Sequence, residues 1–354
     1  MSELHHHLEK KFENIHFIYA PNSSRGVEFS HEQLSLPNHS TLLSSKSSFI
    51  EAWKNLNCLN PKAILISGNY PRINLVAAFW AKYKKRQLYY LSDSNILDFK
   101  NVKRSFLNKL FLRKLLLSAS KLLVIGTRNQ EFYISVCKSH FIETKLHRFV
   151  LPHLCDSFEL PIQRKQDSFT FLILGRLIDI KGIDCAIRAF SMLTKQDKSK
   201  CQMVIAGDGP SSGSLKSLSH DLGVDGKVKF LGSIPSNEAP YIFAQADVVI
   251  VPSYQEPWGL VVNEALSSAK PVIAPHWIGS AIDLIQEKET GLVLEDNSPE
   301  SIMNAMKYCI DHPDLVVRMG LSGRRLIRDG GWHIYGTIDS FSQLISHLND
   351  CETL

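Results

Sequence analysis

EPWGLVVNE, residues 256–264, follows the apolar run ADVVIVPS (246–253) and places two carboxylates eight positions apart around a Trp-Gly step. Pro257 and Gly259 favour a helix that begins between the acids, with Glu256 on the loop and Glu264 two turns inside. Eight positions are about 2.2 helical turns, so the acids would point the same way. Free N–H groups at a helix start bind phosphate. Hydroxyl acceptors beside a phosphate seat predict a nucleotide-sugar pocket.

The sequence around this stretch alternates between strands and helices. Apolar runs at residues 169–175, 201–207, 228–232, 247–253 and 271–274 predict strands, and the segments between them are amphipathic. Repeated βα alternation predicts a doubly wound parallel sheet, whose ligands gather where the strands end.

Basic and glycine residues follow the predicted strand ends. Gly175 ends one predicted strand, Arg176 comes just after it, and Lys181 lies five residues further, at a loop-to-helix step. Two cations there could neutralise a diphosphate, although surface cations with packed stems are the alternative interpretation. Gly279 and Ser280 open another helix, and we expect their N–H groups to add free donors to the same edge.

The first half of the chain is less regularly patterned. Predicted strands at residues 15–20, 62–68, 87–93 and 121–127, with a helix at 74–86, indicate another parallel sheet. All but three of the 19 glycines lie after residue 150. We predict an N-terminal domain (1–155), a linker (156–168), a C-terminal domain (169–330) and a terminal amphipathic helix (331–354).

Residues 100–121 form a basic amphipathic segment with seven Lys or Arg and no acid. A sheet-covering helix with a solvated basic face explains it, and peripheral contact with an anionic membrane is compatible with that reading. Asp93 ends the third predicted strand. It could contact an acceptor or a reacting sugar, or cap a helix.

Composition restricts the partners and the compartment. The net charge of +5 comes without a compact basic patch or zinc pattern, so no nucleic-acid partner is expected. Seven scattered cysteines favour a reducing cytoplasm. The sequence has no signal-peptide core and no apolar run of transmembrane length. We therefore expect a cytoplasmic protein, peripheral at the inner face of the cell membrane.

The ordered series GRL, KGID, GDGP, FLG, ADVVIVPS, EPWGLVVNE and PVIAP resembles the donor half of retaining GT-B glycosyltransferases of the family-four type, also called glycosyl transferases group 1. The resemblance covers residues 169–300 well and the first half only in layout. It implies an α/β fold of two Rossmann-like doubly wound domains that face each other across a cleft.

The resemblance also implies roles for residues of the motif. Glu256 would hold donor-sugar hydroxyls and Glu264 the ribose, while Arg176 and Lys181 would stabilise the departing diphosphate. Backbone groups at Gly175 and around Gly259, Leu260 and Val261 would seat phosphate and sugar.

The implied reaction transfers a sugar from a UDP- or GDP-linked donor to a hydroxyl of a lipid-linked or glycan acceptor, with the anomeric configuration retained. No further cofactor is expected. No metal is expected either, because cations and helix amides are present and no Asp-x-Asp pair occurs in the chain. Retention could use same-face attack, which we favour, or an enzyme nucleophile such as Glu256. A soluble acceptor such as a sugar phosphate is the alternative substrate.

Two features common in the family's first domain are missing. The turn after the first strand has a single glycine, Gly26, and the usual histidine at a later strand end is replaced by Ser92-Asp93. A dinucleotide-dependent oxidoreductase is disfavoured, because GDGPSSG (207–213) does not have the GxGxxG spacing.

Overall fold

A computed structural model describes residues 8, 11, 15, 17–19, 40–42, 48–68, 73–97, 106–138, 140–150, 168–235 and 237–350. The contacts divide the chain into two compact units. Unit 1 comprises Met1–Pro152 and Ile334–Leu354, and unit 2 comprises His153–His333. The predicted linker at 156–168 and the turn at Gly26 lie outside the described residues, apart from Ser168.

Unit 1 contains two groups of parallel strands. β1 (Phe17–Tyr19) pairs with β2 (Ser40–Leu42). A four-stranded sheet has the order β3 (Ala63–Ser67), β4 (Gln87–Leu91), β5 (Lys121–Val124) and β6 (Leu146–Arg148). The helices are α1 (Ser48–Leu59), α2 (Ile73–Tyr83), α3 (Phe106–Ser118) and α4 (Thr127–Cys137), followed by a 3₁₀ turn at His140–Lys145.

The core of unit 1 forms where helix stripes meet the sheet. On α2, the buried residues Ala78, Trp80 and Ala81 recur at helical spacing and pack with Ile66 and Tyr90 of the strands. Burial of such side chains contributes roughly 1.5–3 kcal/mol each for the larger ones. The predicted helix at 74–86 is therefore held by its inner face.

The C-terminal helix packs against the end of the unit 1 chain segment. α13 (Ile334–Asp350) brings Thr337 to Val150, whose carbonyl oxygen accepts a hydrogen bond of 2.7 Å from the Thr337 hydroxyl. The rings of Phe341 and Phe149 meet edge to face with centroids 5.2 Å apart. These contacts explain why the last residues of the chain group with unit 1.

Unit 2 is built on six parallel strands in the order β12-β11-β10-β7-β8-β9. They are β7 (Phe169–Leu174), β8 (Cys201–Ala206), β9 (Val228–Gly232), β10 (Val248–Ile250), β11 (Val272–Pro275) and β12 (Gly291–Leu294). The first three strands run outward from β7 on one side, and the last three begin beside β7 on the other. This is the strand order of the Rossmann fold, and its topological switch point lies between β7 and β10.

Helices of unit 2 connect these strands. They are α5 (Ile183–Met192), α6 (Lys195–Lys200), α7 (Ser212–Asp221), α8 (Ala239–Gln245), α9 (Leu260–Ser267), α10 (Ala281–Leu284), α11 (Pro299–Asp311) and α12 (Pro313–Asp329). A 3₁₀ turn at Asp179–Lys181 precedes α5. The core contains Phe171, Phe190 and Met203, all fully buried.

The predicted α/β class with parallel sheets is confirmed in both units. Every predicted strand overlaps an observed one, whereas β2, β6 and β12 were missed. β2 and β6 are only three residues long, and such runs are too short for alternation to stand out.

Candidate active site

The loops that follow β7 and β10 meet at the switch point of unit 2. The Tyr254 N–H donates to the Ile180 carbonyl oxygen at 2.9 Å, which ties the two loops together through their backbones. Open α/β sheets bind ligands at this position, outside the carboxyl ends of the strands. The sequence-predicted residues Lys181 and Glu256 lie on these two loops.

Lys181 and Glu256 form an ion pair between Lys181 Nζ and Glu256 Oε2. Their side chains keep 24% and 16% exposure, so the pair is shielded yet reachable from solvent. When a ligand binds, such a cation and carboxylate can give up their contact with each other. The cation can then contact a phosphate of the ligand, and the carboxylate can accept hydrogen bonds from its hydroxyls.

Gly182 sets the approach of the two loops. Its φ is +59°, and a Cβ there would lie 2.1 Å from the Pro252 carbonyl oxygen. The same oxygen accepts a hydrogen bond from the Asn297 side-chain amide. Only glycine fits both the left-handed backbone and the contact, so Gly182 determines where Lys181 lies.

Gly175 and Arg176 follow β7 directly. The Gly175 N–H donates to Ala206 at 3.0 Å, and a Cβ on Gly207 would lie 1.8 Å from the Gly175 carbonyl oxygen. Arg176 is exposed on this tight loop. Arg176 therefore lies on a loop at the same edge of the sheet as Lys181.

Among the described residues, no side chain caps the backbone N–H groups at the start of α9. Gly259 is the N-cap with φ +91°, and no side chain caps this end. The Val262 N–H donates to the Gly259 carbonyl oxygen at 2.9 Å, while the N–H groups of Leu260 and Val261 lack intrahelical acceptors because of their position in the first turn. With the positive end of the helix dipole, these groups can bind an anion.

Glu264 is the fifth residue of α9, about one turn inside the helix. The expectation of two turns was wrong, because the helix begins at Leu260, four residues after Glu256. Helical side chains tilt toward the N-terminus, so Glu264 leans toward the α9 start.

Burial raises the pKa of the Glu264 carboxyl to about 7. The Glu264 side chain is only partly exposed. Among the described residues, none donates a hydrogen bond or an ion pair to this carboxylate. A desolvated acceptor without a partner is disposed to take hydroxyl hydrogen bonds from a ligand.

Three tryptophans support the loop between Ser253 and Gly259, and the sequence interpretation missed this support. The indole of Trp258 stacks on Trp332, with ring centroids 5.5 Å apart. Trp258 Nε1 donates to Asn263 Oδ1 at 3.0 Å, in a buried position. On the other side, Trp277 Nε1 donates to the Ser253 carbonyl oxygen at 3.0 Å. The signal available in the sequence was the number of tryptophans near the motif.

The expectation that Gly279 and Ser280 supply free donors was wrong. The Gly279 N–H donates to the Glu256 carbonyl oxygen at 3.1 Å, and the Ser280 N–H donates to Trp258 at 2.9 Å. A Cβ on Gly279 would lie 1.8 Å from the Pro257 carbonyl oxygen. These two N–H groups hold residues 256–259 in place, so they position the site. The N–H groups at the start of α9 remain the candidates for ligand binding.

Asp93 lies in unit 1, in the loop that follows β4. Its side chain is exposed and makes no hydrogen bond with any other described residue, so the helix-capping alternative is not observed. Asn129, which is 2% exposed, holds this loop through side-chain amide bonds to the carbonyl oxygens of Ser92 (2.9 Å) and Ser94 (2.7 Å). Asp93 is thus presented to solvent on a fixed loop.

Metal and membrane features were sought in the same part of the chain. The described residues contain no group of three or more His, Cys, Asp and Glu side chains that could hold a metal ion. Within those residues, no helix has both the length and the apolar character needed to cross a bilayer.

Unit 2 is a Rossmann-type domain whose switch point holds the Lys181–Glu256 ion pair close to the N-terminus of α9. Residues 158–326 match the family model described as glycosyl transferases group 1. This segment of the chain is similar to that glycosyltransferase family.

Curated relatives agree with this family. The chain is 32% identical over 196 residues to D-inositol 3-phosphate glycosyltransferase of Corynebacterium glutamicum (strain R), covering 54% of this chain and 44% of that protein. It is 32% identical over 165 residues to GDP-mannose-dependent alpha-(1-6)-phosphatidylinositol monomannoside mannosyltransferase of Mycobacterium tuberculosis, covering 45% and 42%. The chain thus spans less than half the length of these relatives.

Solved structures share the fold over most of the chain. HepE from Anabaena, determined in complex with UDP, has a TM-score of 0.71 at 18% identity and covers 87% of this chain and 86% of its own. Sucrose-phosphate synthase from Thermosynechococcus elongatus has a TM-score of 0.71 at 19% identity, with coverages of 99% and 92%. The fold is that of the GT-B glycosyltransferases, as expected from the sequence.

Proposed function

We propose that this protein is a retaining, metal-independent glycosyltransferase that moves a sugar from a nucleoside-diphosphate sugar to a hydroxyl of a lipid-linked or polysaccharide acceptor. The observation that carries the proposal is the pairing of Lys181 with Glu256 at the switch point of unit 2. The family of residues 158–326 supports the same class of reaction.

The diphosphate of the donor would lie at the start of α9. The N–H groups of Leu260 and Val261 donate to its oxygens, and Arg176 and Lys181 supply positive charge from the neighbouring loop. Arg offers a planar fork and Lys a compact point charge, so the two cations contact different oxygens. Gly175 and Gly259 keep side chains away from the bound phosphates.

The two acids would bind hydroxyls of different parts of the donor. Glu256 accepts hydrogen bonds from the sugar, and Glu264 from the ribose. Donor binding replaces the ion pair of Lys181 and Glu256 by two new contacts, Lys181 to phosphate and Glu256 to sugar. The site thus holds its charges balanced both with and without the ligand.

The chemical step breaks the bond between the anomeric carbon and the diphosphate oxygen, and the electron pair leaves with the diphosphate. The acceptor hydroxyl oxygen forms the new bond on the same face, and its proton passes to the departing diphosphate. Charge grows on the diphosphate in the transition state, so Arg176, Lys181 and the α9 amides stabilise that state more than the ground state. These donors can do so without a metal ion.

The alternative route to retention uses Glu256 as an enzyme nucleophile. The resemblance of the EPWGLVVNE motif to the family-four glycosyltransferases supports the role of hydroxyl acceptor instead. We therefore assign same-face attack, and a trapped glycosyl-enzyme at Glu256 would contradict this assignment.

The acceptor is proposed from two kinds of observation. One relative is named for phosphatidylinositol monomannoside, a lipid, and another for D-inositol 3-phosphate, a soluble sugar-like phosphate. A lipid-linked acceptor in cell-envelope glycan synthesis is the main proposal, and a soluble sugar phosphate is the second candidate. Asp93, exposed on its fixed loop, is proposed to contact the acceptor or the reacting sugar.

Peripheral contact with an anionic membrane is proposed through residues 100–121. Within this segment α3 exposes Leu107, Leu110 and Phe111, with the exposed Lys109 and Lys114 beside them. Arg113 is used differently, because its Nε donates to the Cys137 carbonyl oxygen at 3.1 Å and joins α3 to α4. Residues 100–105 of this segment lie outside the described part of the chain. The described part of the segment begins with α3 at Phe106. The protein would then work at the cytoplasmic face.

Thermal unfolding in the presence of UDP-, GDP-, ADP- and CMP-sugars tests the donor class. A ligand at 100 times its dissociation constant stabilises the native state by about 2.7 kcal/mol, so one base should stand out. The stabilising donor is then incubated with lipid-linked and soluble acceptors, and the anomeric configuration of the product is read by NMR. An inverted product, or stabilisation by none of the donors, would contradict the proposal.

A further inference from the structure

An aromatic surface on the outside of unit 1 has no role in the sequence interpretation. It consists of Phe49, Ile50 and Trp53 on α1 and Phe79 and Tyr83 on α2, and we call it the α1–α2 aromatic surface. Trp53 packs against both α2 rings, with centroids 6.0 Å from Phe79 and 5.9 Å from Tyr83. Phe49 and Ile50 precede Trp53 by four and three positions, so they share its side of the helix.

These side chains are exposed to an extent that the fold does not require. Ile50 is 68% exposed, Phe79 64% and Tyr83 66%. The inward face of α2 is completed by other residues, with Trp80 fully buried between the rings and the sheet. A contiguous apolar patch of this kind on a soluble unit marks an interaction surface.

The border of this surface is strongly basic. Lys82, Lys84 and Lys85 are exposed at the end of α2, and Lys84 Nζ lies 5.7 Å from the Tyr83 ring centroid. Residues 48–91 contain seven Lys or Arg and one acid, Glu51. Aromatic rings with adjacent cations are typical of surfaces that rest in the headgroup region of anionic membranes.

The topology puts this surface on the same side of unit 1 as α3. Strands β3, β4, β5 and β6 follow one another across the sheet, and parallel crossovers are right-handed. The crossover helices α2, α3 and α4 therefore cover one face, and α1 packs on α2. The exposed apolar residues of α3 and the α1–α2 aromatic surface thus face the same direction.

We propose that the α1–α2 aromatic surface binds an anionic lipid membrane and is the apolar anchor of the protein. This surface would add to the membrane contact proposed for residues 100–121. The proposal rests on the proposed function, in which a lipid-linked acceptor lies in the same membrane. Tyr and Trp rings enter the headgroup region, while the three lysines at the end of α2 attract the lipid phosphates. A basic border disfavours a second copy of this chain, since two such surfaces would repel each other.

Co-sedimentation of the full chain with vesicles tests this proposal. Vesicles of phosphatidylcholine alone are compared with vesicles that contain phosphatidylglycerol as well. The variant Phe79→Ser/Tyr83→Ser should lower the partition coefficient on anionic vesicles about tenfold, because two rings leave the interface. The matched control, Tyr241→Ser/Met192→Ser, removes two similarly exposed residues from unit 2 and should bind as the wild type does.

A charge variant separates the electrostatic contribution. Lys82→Glu/Lys85→Glu should weaken binding to anionic vesicles about tenfold or more and leave the weak binding to neutral vesicles unchanged. Lys195→Glu/Lys200→Glu, with the same charge change on exposed residues of unit 2, is the control. Circular dichroism melting curves verify that each variant is folded.

Three outcomes would overturn the proposal. They are an unchanged partition in the aromatic variant, equal loss in its unit 2 control, and a dimer in size-exclusion chromatography that the aromatic variant dissociates. Thermal stabilisation by the donor is measured on the same samples. Intact donor binding with no vesicle binding rejects this inference and leaves the glycosyltransferase proposal standing, whereas the opposite result rejects the latter alone.

Discussion

The two units present their strand ends in different ways. In unit 2, the loops after β7 and β10 are joined by the Tyr254 to Ile180 backbone bond, the Lys181–Glu256 ion pair and the contact of Gly182 with Pro252. In unit 1, the loop after β4 is held from beneath by Asn129, and Asp93 points away from these contacts into solvent.

This difference indicates that the two units have different roles in binding. A site that binds a fixed chemical group, such as a diphosphate, profits from preorganised charges on rigid loops. A surface that receives a larger and more variable acceptor needs fewer fixed contacts. We therefore assign donor binding to the switch point of unit 2 and the acceptor and membrane contacts to unit 1.

The largest effect is expected for Glu256→Gln. The amide keeps the size of the side chain, but it loses the charge and pairs poorly with Lys181, so sugar positioning fails. Transfer should fall about 10²–10³-fold, as for the loss of a single oriented polar group in an active site. Steady-state transfer assays measure it. Glu289→Gln, an exposed acid of the same unit, is the control and should keep full activity.

Replacement of Gly182 tests whether loop packing holds the site. In Gly182→Ala the new Cβ meets the Pro252 carbonyl oxygen, and φ +59° is strained for alanine. We expect roughly 1–3 kcal/mol loss of stability, together with weaker donor binding because Lys181 moves. Gly213→Ala is the control, since a Cβ there meets nothing within 4 Å. Equal denaturant midpoints for both variants would refute the role of Gly182.

Glu264→Gln should change the stability and the donor affinity in opposite directions, and the change in stability should depend on pH. The pKa of Glu264 is raised from 4.5 to about 7 by burial, so the native state binds more protons than the unfolded state between these values. Wild-type stability from this group is therefore complete below pH 4.5 and declines as the pH rises to about 7.

The Gln variant has no ionisable group at this position, so its stability does not decline in this way. It should match the wild type near pH 4.5 and exceed it above pH 7 by roughly 1–3 kcal/mol. Donor affinity should fall at the same time, because the ionised acceptor is lost. Chemical denaturation at several pH values measures the first effect. A constant stability difference across the pH range would show that burial does not perturb this carboxyl.

The smallest effect is expected for Asp93→Asn. The side chain is exposed and unpaired among the described residues, so stability should change by less than about 0.5 kcal/mol. Transfer should decrease about two- to tenfold through the acceptor KM, with the donor dissociation constant unchanged. A change in donor affinity of the same size as that of Glu264→Gln would remove the distinction between the units.

The donor-side elements were predictable because their signals are dense. Strands β7 to β11 are apolar runs bounded by Gly, Pro or polar turns, and Glu256, Lys181 and Arg176 follow them at fixed spacing. The class of fold could be read from that pattern, which also selected Lys181 and Glu256, the two residues that the structure pairs.

The supporting contacts could not be read in the same way. The stack of Trp258 on Trp332 joins residues 74 positions apart, and a single sequence carries no record of such a pairing. The amides of Gly279 and Ser280 were misjudged because their acceptors, at Glu256 and Trp258, lie on another loop. In unit 1, Asn129 was missed for the same reason, since its contacts with Ser92 and Ser94 are long-range.

The central claim is that unit 2 alone determines donor recognition. Isothermal titration of the stabilising nucleotide-sugar into the wild type, Glu264→Gln and Asp93→Asn tests it most directly at pH 8. The account predicts at least about tenfold weaker binding for Glu264→Gln, equivalent to about 1.4 kcal/mol, and wild-type binding for Asp93→Asn. Undiminished binding by Glu264→Gln, or a comparable loss in Asp93→Asn, would contradict it.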